Sequence, residues 1–241
     1  MKILIIRHGD PDYVHDSLTE QGKIEAACLA ERLSKMDIKA FYVSPLGRAK
    51  ETASYTLKKM NRTATECLWL REFAAKIIRP DRGHESIIWD WLPTDWTVEK
   101  KYYNRYDWAD TKVLQDGEVK QEYDWVVQSF DQLLASYGYI REGNYYRVEQ
   151  GNQDTIVFFC HFGLECILLS HLLGISPMAM LHGFCAAPTS VTTLITEERR
   201  KGVALFRING FGGISHLYAA GEEPSFSARF CEVYESLDRH D

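Results

Sequence analysis

Three short apolar runs, each broken off by arginine-histidine, serine or histidine, constrain this chain more than any other feature. Residues 2–6 (KILII) give way to Arg7-His8-Gly9, residues 40–43 (AFYV) to Ser44-Pro45, and residues 155–160 (TIVFFC) to His161-Phe162-Gly163. Runs of this length, rich in β-branched and aromatic residues, read as strands buried on both faces. Stretches with helical spacing lie between them. Residues 19–36 carry Ile24, Ala27, Cys28 and Leu33 as the apolar face, with Thr19 as N-cap; residues 47–60 and 164–173 continue the pattern, the last closed by Gly174. Further strands are predicted at 65–70, 190–196 and 203–208. This alternation predicts a three-layer α/β fold, a mostly parallel sheet with helices on both faces.

From 73 to about 152 the rhythm breaks. The segment holds Trp89, Trp91, Trp96, Tyr102, Tyr103, Tyr106, Trp108 and Trp125, a turn at Asp116-Gly117, and a helix predicted over 118–136. The expectation is a single domain over 1–241 with a mainly helical, aromatic-rich insertion at about 73–152. Both ends of the insertion leave the core beside strand ends, so it is expected to form a lid that sets substrate choice. The alternative is that its aromatics pack a small core of their own or an interface.

Composition narrows the function. With 45% hydrophobic and 26% charged residues the chain can build an ordinary core, and its net charge of −6 (34 acidic against 28 basic side chains) argues against a nucleic-acid partner. The six cysteines form no C-x-x-C pair and read as free thiols, and no run approaches the ~20 apolar residues of a membrane span. A cytoplasmic location without membrane attachment is expected; the oligomeric state is left open.

The polar residues that end the runs carry the chemistry. In open α/β sheets ligands gather at the carboxyl ends of the strands. Arg7 and His8 would point to opposite faces of a regular strand, so a shared ligand requires the backbone to turn, which Gly9 permits. Arg48 stands in the first turn of a helix, where a cation opposes the helix dipole unless an anion sits nearby. His161 repeats the placement of His8. Two weaker clusters stand beside these: Asp10, Asp12, His15 and Asp16 match no known metal-ligand spacing, and Arg79, Arg82 and His84 could meet further anionic groups of a substrate.

The stretches LIIRHGDPDY, SLTEQGKIEAACLAERL, FYVSPLGRAKETA, LWLREF, VFFCHFG and RINGFGGISHL resemble the histidine phosphatase superfamily, which includes phosphoglycerate mutases and acid phosphatases. The resemblance implies that His8 is the phosphorylated nucleophile, that Arg7, Arg48 and His161 form the phosphate pocket with it, and that Glu72 is the proton donor. Beyond Glu72 the chain reads FAAKIIRP, where the family usually continues with glycine and tryptophan. The chemistry suits these residues: neutral imidazole is a good nucleophile near its ordinary pKa of about 6.5, and two guanidiniums with a protonated His161 would neutralise the phosphoryl oxygens. A small phosphorylated substrate is implied, with no cofactor and no metal. Two alternatives remain beside the phosphomonoester hydrolase: a mutase-like phosphoryl transferase, and a non-catalytic phosphate-binding module.

Overall fold

In the computed structural model, which describes residues 1–240, the elements run in chain order β1 (Lys2–Arg7), α1 (Glu20–Leu33), β2 (Ala40–Val43), α2 (Gly47–Met60), β3 (Thr65–Glu66), α3 (Val119–Ser136), β4 (Tyr139–Glu142), β5 (Tyr145–Val148), β6 (Thr155–Cys160), α4 (Phe162–Leu173), α5 (Pro177–Gly183), β7 (Val191–Arg200), β8 (Val203–Gly213) and α6 (Ser215–Ala220). Eight strands form one sheet in the order β3-β2-β6-β1-β7-β8-β5-β4. Its first four strands pair in parallel. The remaining pairings are antiparallel, so six strands share one direction and only β7 and β5 oppose it.

The continuous apolar runs are explained by two cores. Ile3 and Ile5 of β1, with Ile156, Phe158 and Cys160 of β6, face a large cluster built with α3, α4 and α5. Leu4, Ile6, Val157 and Phe159 face a smaller one closed by Leu29 and Leu33 of α1 and Ala53 of α2. Every residue of β6 is buried. At roughly 1.5–3 kcal/mol for each large apolar side chain, this central pair anchors the sheet.

Three departures from the sequence reading have physical causes. The strand expected at 65–70 is only Thr65–Glu66, followed by a 3-10 turn over Leu68–Leu70. The second half of the insertion is scaffold: α3 packs its Val126, Phe130 and Leu134 into the larger core, and β4 and β5 extend the main sheet through pairing of β5 with β8. Of the four apolar positions assigned to α1, only Leu33 is fully buried, and Ile24 and Ala27 are exposed. The helix instead turns Gly22, Glu25, Ala26 and Leu29 inward. A Cβ on Gly22 would lie 2.3 Å from the carbonyl oxygen of Asp10, and Glu25 accepts from the Asp10 amide at 2.9 Å. Its rotation is thus set by the loop after β1 as well as by apolar spacing.

Candidate active site

In-register pairing places the two histidines side by side. Arg7 lies opposite Cys160 at the ends of β1 and β6, so His8 and His161 leave neighbouring parallel strands together. Their rings are 5.1 Å apart and tilted by 59°. Nδ1 of His8 lies 2.7 Å from the Gly9 carbonyl oxygen. A carbonyl only accepts, so Nδ1 carries the proton and Nε2 keeps its lone pair. Burial, then the charge of Arg7 and that of Arg48, holds the His8 pKa well below 6.5, although the Gly9 carbonyl opposes this. Gly9 does not have positive φ. It is required because a Cβ there would lie 2.8 Å from the carbonyl oxygen of Gly22.

His161 is fully buried, with Nε2 2.8 Å from Oγ of Ser44 and Nδ1 without a partner. Burial, followed by His8, Arg48 and Arg7, keeps its pKa well below 6.5. Burial and the neighbouring cations therefore disfavour the protonated state of His161 as long as no anion is bound. A cation has no reason to persist there until an anion arrives.

Arg7 is 2% exposed; its Nη1 donates to the carbonyls of Ala186 and Ser227, the latter at 3.3 Å, and its Nε is buried without a partner. Arg48 donates from Nη1 to Oδ1 of Asp16 at 2.6 Å, while Oδ2 of Asp16 accepts from the Gly47 amide at 2.6 Å. The anion expected at the start of α2 is thus, in the first instance, the protein's own Asp16. Asp16 sits at φ 48°, a left-handed turn that aspartate tolerates better than most residues. Gly47 fits beneath it because a Cβ would lie 2.1 Å from its carbonyl oxygen. Thr52 of α2 completes the frame, accepting from the Gly9 amide at 2.9 Å and donating to the Arg48 carbonyl at 2.7 Å.

Oε1 of Glu72 accepts from the amides of Phe73 (2.9 Å) and Leu164 (3.0 Å), so the carboxylate caps the start of α4 just after His161. The residue as a whole keeps some exposure, but its carboxyl group is enclosed. Burial raises its pKa above the ordinary carboxylate value, against these two amides and the two arginines. Gly163 makes room: a Cβ there would lie 2.8 Å from both Glu72 Oε1 and the Trp89 ring. Below them Glu165 is buried with neither oxygen in a well-formed hydrogen bond. Burial pushes its pKa up to about 7, although the Thr192 hydroxyl and Arg7 pull it down.

The weaker clusters do not converge. Asp12 pairs with exposed His15 at 2.7 Å while Asp16 turns away to Arg48, and among the described residues no group of three or more His, Cys, Asp or Glu is placed to hold a metal ion. Arg79 is buried and pinned by Asp81 and by the carbonyls of Trp89 and Asp90, whereas Arg82 and His84 are exposed.

A cavity of about 860 Å³ adjoins the site, although none of Arg7, His8, Arg48, Glu72 and His161 lines it. Its lining includes Phe162, which follows His161, Trp89, which lies against Gly163, and Cys185 and Ala228, next to the two carbonyls that hold Arg7. Only residues 79–96 of the insertion line it, with Trp89, Trp91 and Trp96. Tyr102 and Trp108 pack into the core, and Trp125 lies against Arg71. Residues 226–232 and His240 contribute to the cavity lining as well, a segment absent from the sequence reading of the site. That segment is fastened by Ser225, whose amide donates to Glu25 at 3.1 Å, and by Ser227 on Arg7.

Fold and site together define an α/β protein with a cationic pocket at the carboxyl ends of its parallel strands. A model of the histidine phosphatase superfamily (branch 1) matches residues 3–209, and the chain belongs to that family. Among solved structures it is similar to a mutant phosphoserine phosphatase from Entamoeba histolytica in complex with phosphoserine (19% identity, 90% of this chain and 98% of that one covered, TM-score 0.55). It is similar also to a mycobacterial glucosyl-3-phosphoglycerate phosphatase in complex with VO3 (20% identity, 88% and 99% covered, TM-score 0.55). A third is YhfR of Bacillus stearothermophilus (20% identity, 89% and 98% covered, TM-score 0.54). At these identities the likeness is one of fold. No curated protein sequence matches the chain.

Proposed function

We propose that this protein hydrolyses phosphomonoesters through a phosphohistidine on His8. The observation that carries the reading is the state of His8: its proton is fixed on Nδ1 by Gly9, and its pKa is held low beside two guanidiniums. Nε2 attacks phosphorus, a nitrogen–phosphorus bond forms, and the ester oxygen leaves with the proton that Glu72 supplies. Water then attacks the same phosphorus, the nitrogen–phosphorus bond breaks, and Glu72 recovers a proton from that water as inorganic phosphate departs.

Arg7 and Arg48 supply the charge that offsets the phosphoryl oxygens. A dianion bound against both rings offsets the burial and the neighbouring cations that keep His161 neutral, so His161 takes up a proton as substrate binds. Ser44 holds its Nε2, which orients the ring before that happens. A small phosphorylated substrate, a single domain whose 79–96 segment borders the site, and a cytoplasmic location suited to six free thiols complete the reading.

Phenyl phosphate turnover in the presence of a chelator tests it, with rapid-quench mass spectrometry reading phosphate on His8. Turnover by His8→Ala at near the parent rate would sink the mechanism.

A further inference from the structure

The cavity beside the histidines has walls that neither histidine chemistry nor phosphate binding requires. Its volume, about 860 Å³, lies in the upper part of the range that encloses drug-sized ligands. A body the size of serine would leave most of it empty.

Most of the polar groups in its walls are already engaged with one another. Arg79 is bound to Asp81 and two carbonyls, and Asp90 is paired with Arg239 at 3.6 Å. His182 uses Nδ1 on the Met178 carbonyl (2.8 Å) and Nε2 on the Trp91 amide (3.4 Å), and burial holds its pKa at about 4, so it is uncharged near neutrality. Arg229 lies over the Phe226 ring at 4.4 Å. Arg82 and Glu232 are exposed.

What the walls offer a ligand is ring surface. Trp89, Trp91, Trp96, Phe162, Phe226 and Phe230 all line it, with Trp96 held between neutral His182 (4.5 Å, 23°) and Tyr103 (5.2 Å, 31°).

We infer that the cavity is the subsite for the alcohol portion of the substrate, and that this alcohol is a flat, mainly aromatic group of two or more rings. The inference rests on the phosphatase reading for its chemistry but not for its binding. Aromatic faces with few free polar groups select flat apolar bodies over polyhydroxylated ones, because a sugar hydroxyl would be desolvated there without a partner.

Two measurements separate the subsite from the reaction. Calorimetric binding of naphthylmethylphosphonate and methylphosphonate, neither of which can be hydrolysed, reads the subsite alone. The aromatic phosphonate is expected to bind at least about tenfold more tightly, on the area its rings bury. Trp96→Ala in the insertion and Phe226→Ala in the C-terminal segment should each erase most of that difference while leaving methylphosphonate affinity unchanged. Turnover of naphthylmethyl, benzyl and seryl phosphates reads the reaction; the first two have leaving groups of similar acidity, and kcat/KM is expected to rise at least about tenfold from benzyl to naphthylmethyl. Equal affinity for the two phosphonates, or a preference that survives both variants, overturns the subsite even if all three esters are hydrolysed. A binding preference without turnover of any ester upholds the subsite and overturns the phosphatase reading instead.

Discussion

Replacing Asp16 with alanine is the sharpest test of how Arg48 is held. Asp16 makes two short charge-assisted contacts, with Arg48 Nη1 and with the Gly47 amide, each at 2.6 Å. Such a bond is worth about 1.5–3 kcal/mol when shielded. The Arg48 side chain is 11% exposed and that of Asp16 43%, so solvent screening reduces the figure to roughly 1–2 kcal/mol. If that energy fixes the guanidinium where the phosphoryl group needs it, its loss reappears in the barrier as a fall of about fivefold to thirtyfold in kcat/KM. Burial alone would raise the Asp16 pKa, but the Gly47 amide and Arg48 outweigh it and the net shift is downward. The contribution to stability is therefore complete above about pH 3.8, the ordinary value, and is lost as pH falls through the lowered folded pKa; a neutral-pH assay sees the full effect. Steady-state hydrolysis of phenyl phosphate by Asp16→Ala and Asp16→Asn, with thermal melts alongside, measures it. Asparagine keeps an acceptor for the amide and should fall between parent and alanine. A kcat/KM that stays level or rises in Asp16→Ala would mean that Asp16 competes with the phosphate for Arg48, and the argument would be wrong.

Four further outcomes follow from the same geometry. Glu72→Gln should slow alkyl phosphates by about 10²-fold or more while largely sparing phenyl phosphate, whose leaving group needs little protonation; equal losses on both would remove Glu72 as the acid. Because the His8 pKa is lowered, the acid limb of kcat/KM should lie below pH 6.5, and the raised Glu72 pKa should set an alkaline limb above the ordinary carboxylate value, both readable from a pH–rate profile. Gly163→Ala should lower both kcat and Tm, since its Cβ must displace Glu72 or Trp89. The Glu165 pKa is raised in the fold, so stability is greatest below its unfolded value and is lost as pH climbs toward about 7; Glu165→Gln should melt higher than the parent at pH 8, with most of the gain gone at pH 5.

The strands and their ends were legible because burial on both faces leaves an unbroken apolar run, and a polar residue that stops such a run announces itself. His8 and His161 stand at two such stops, and Arg48 is marked by its place in the first turn of α2. Asp16 carries no such mark. It lies in a loop among three other polar residues, and only the left-handed turn that aims it at Gly47 distinguishes it. Ser225 and Ser227 were equally silent, because their partners Glu25 and Arg7 lie 200 and 220 positions away. The α1 face was misassigned because Gly22 and Glu25, which look polar or neutral in sequence, turn inward toward the loop after β1. The strand pair β4 and β5 lacked a signal of its own, since its place at the sheet edge depends on pairing with β8.

The position of β1 has a consequence for how the chain comes into being. It precedes both of its neighbours in the chain, sitting in the middle of the sheet between β6 and β7, whose residues follow about 150 and 190 positions later. Until those strands emerge, the segment Ile3–Ile6 has neither of its hydrogen-bonding neighbours, and local helices such as α1 and α2 can form around a vacancy. Pairings this distant in sequence slow folding and lengthen the interval in which a sticky strand stands open to other chains. The segment Ile3–Ile6 is therefore expected to stay open to wrong partners until residues 155–200 have followed it out.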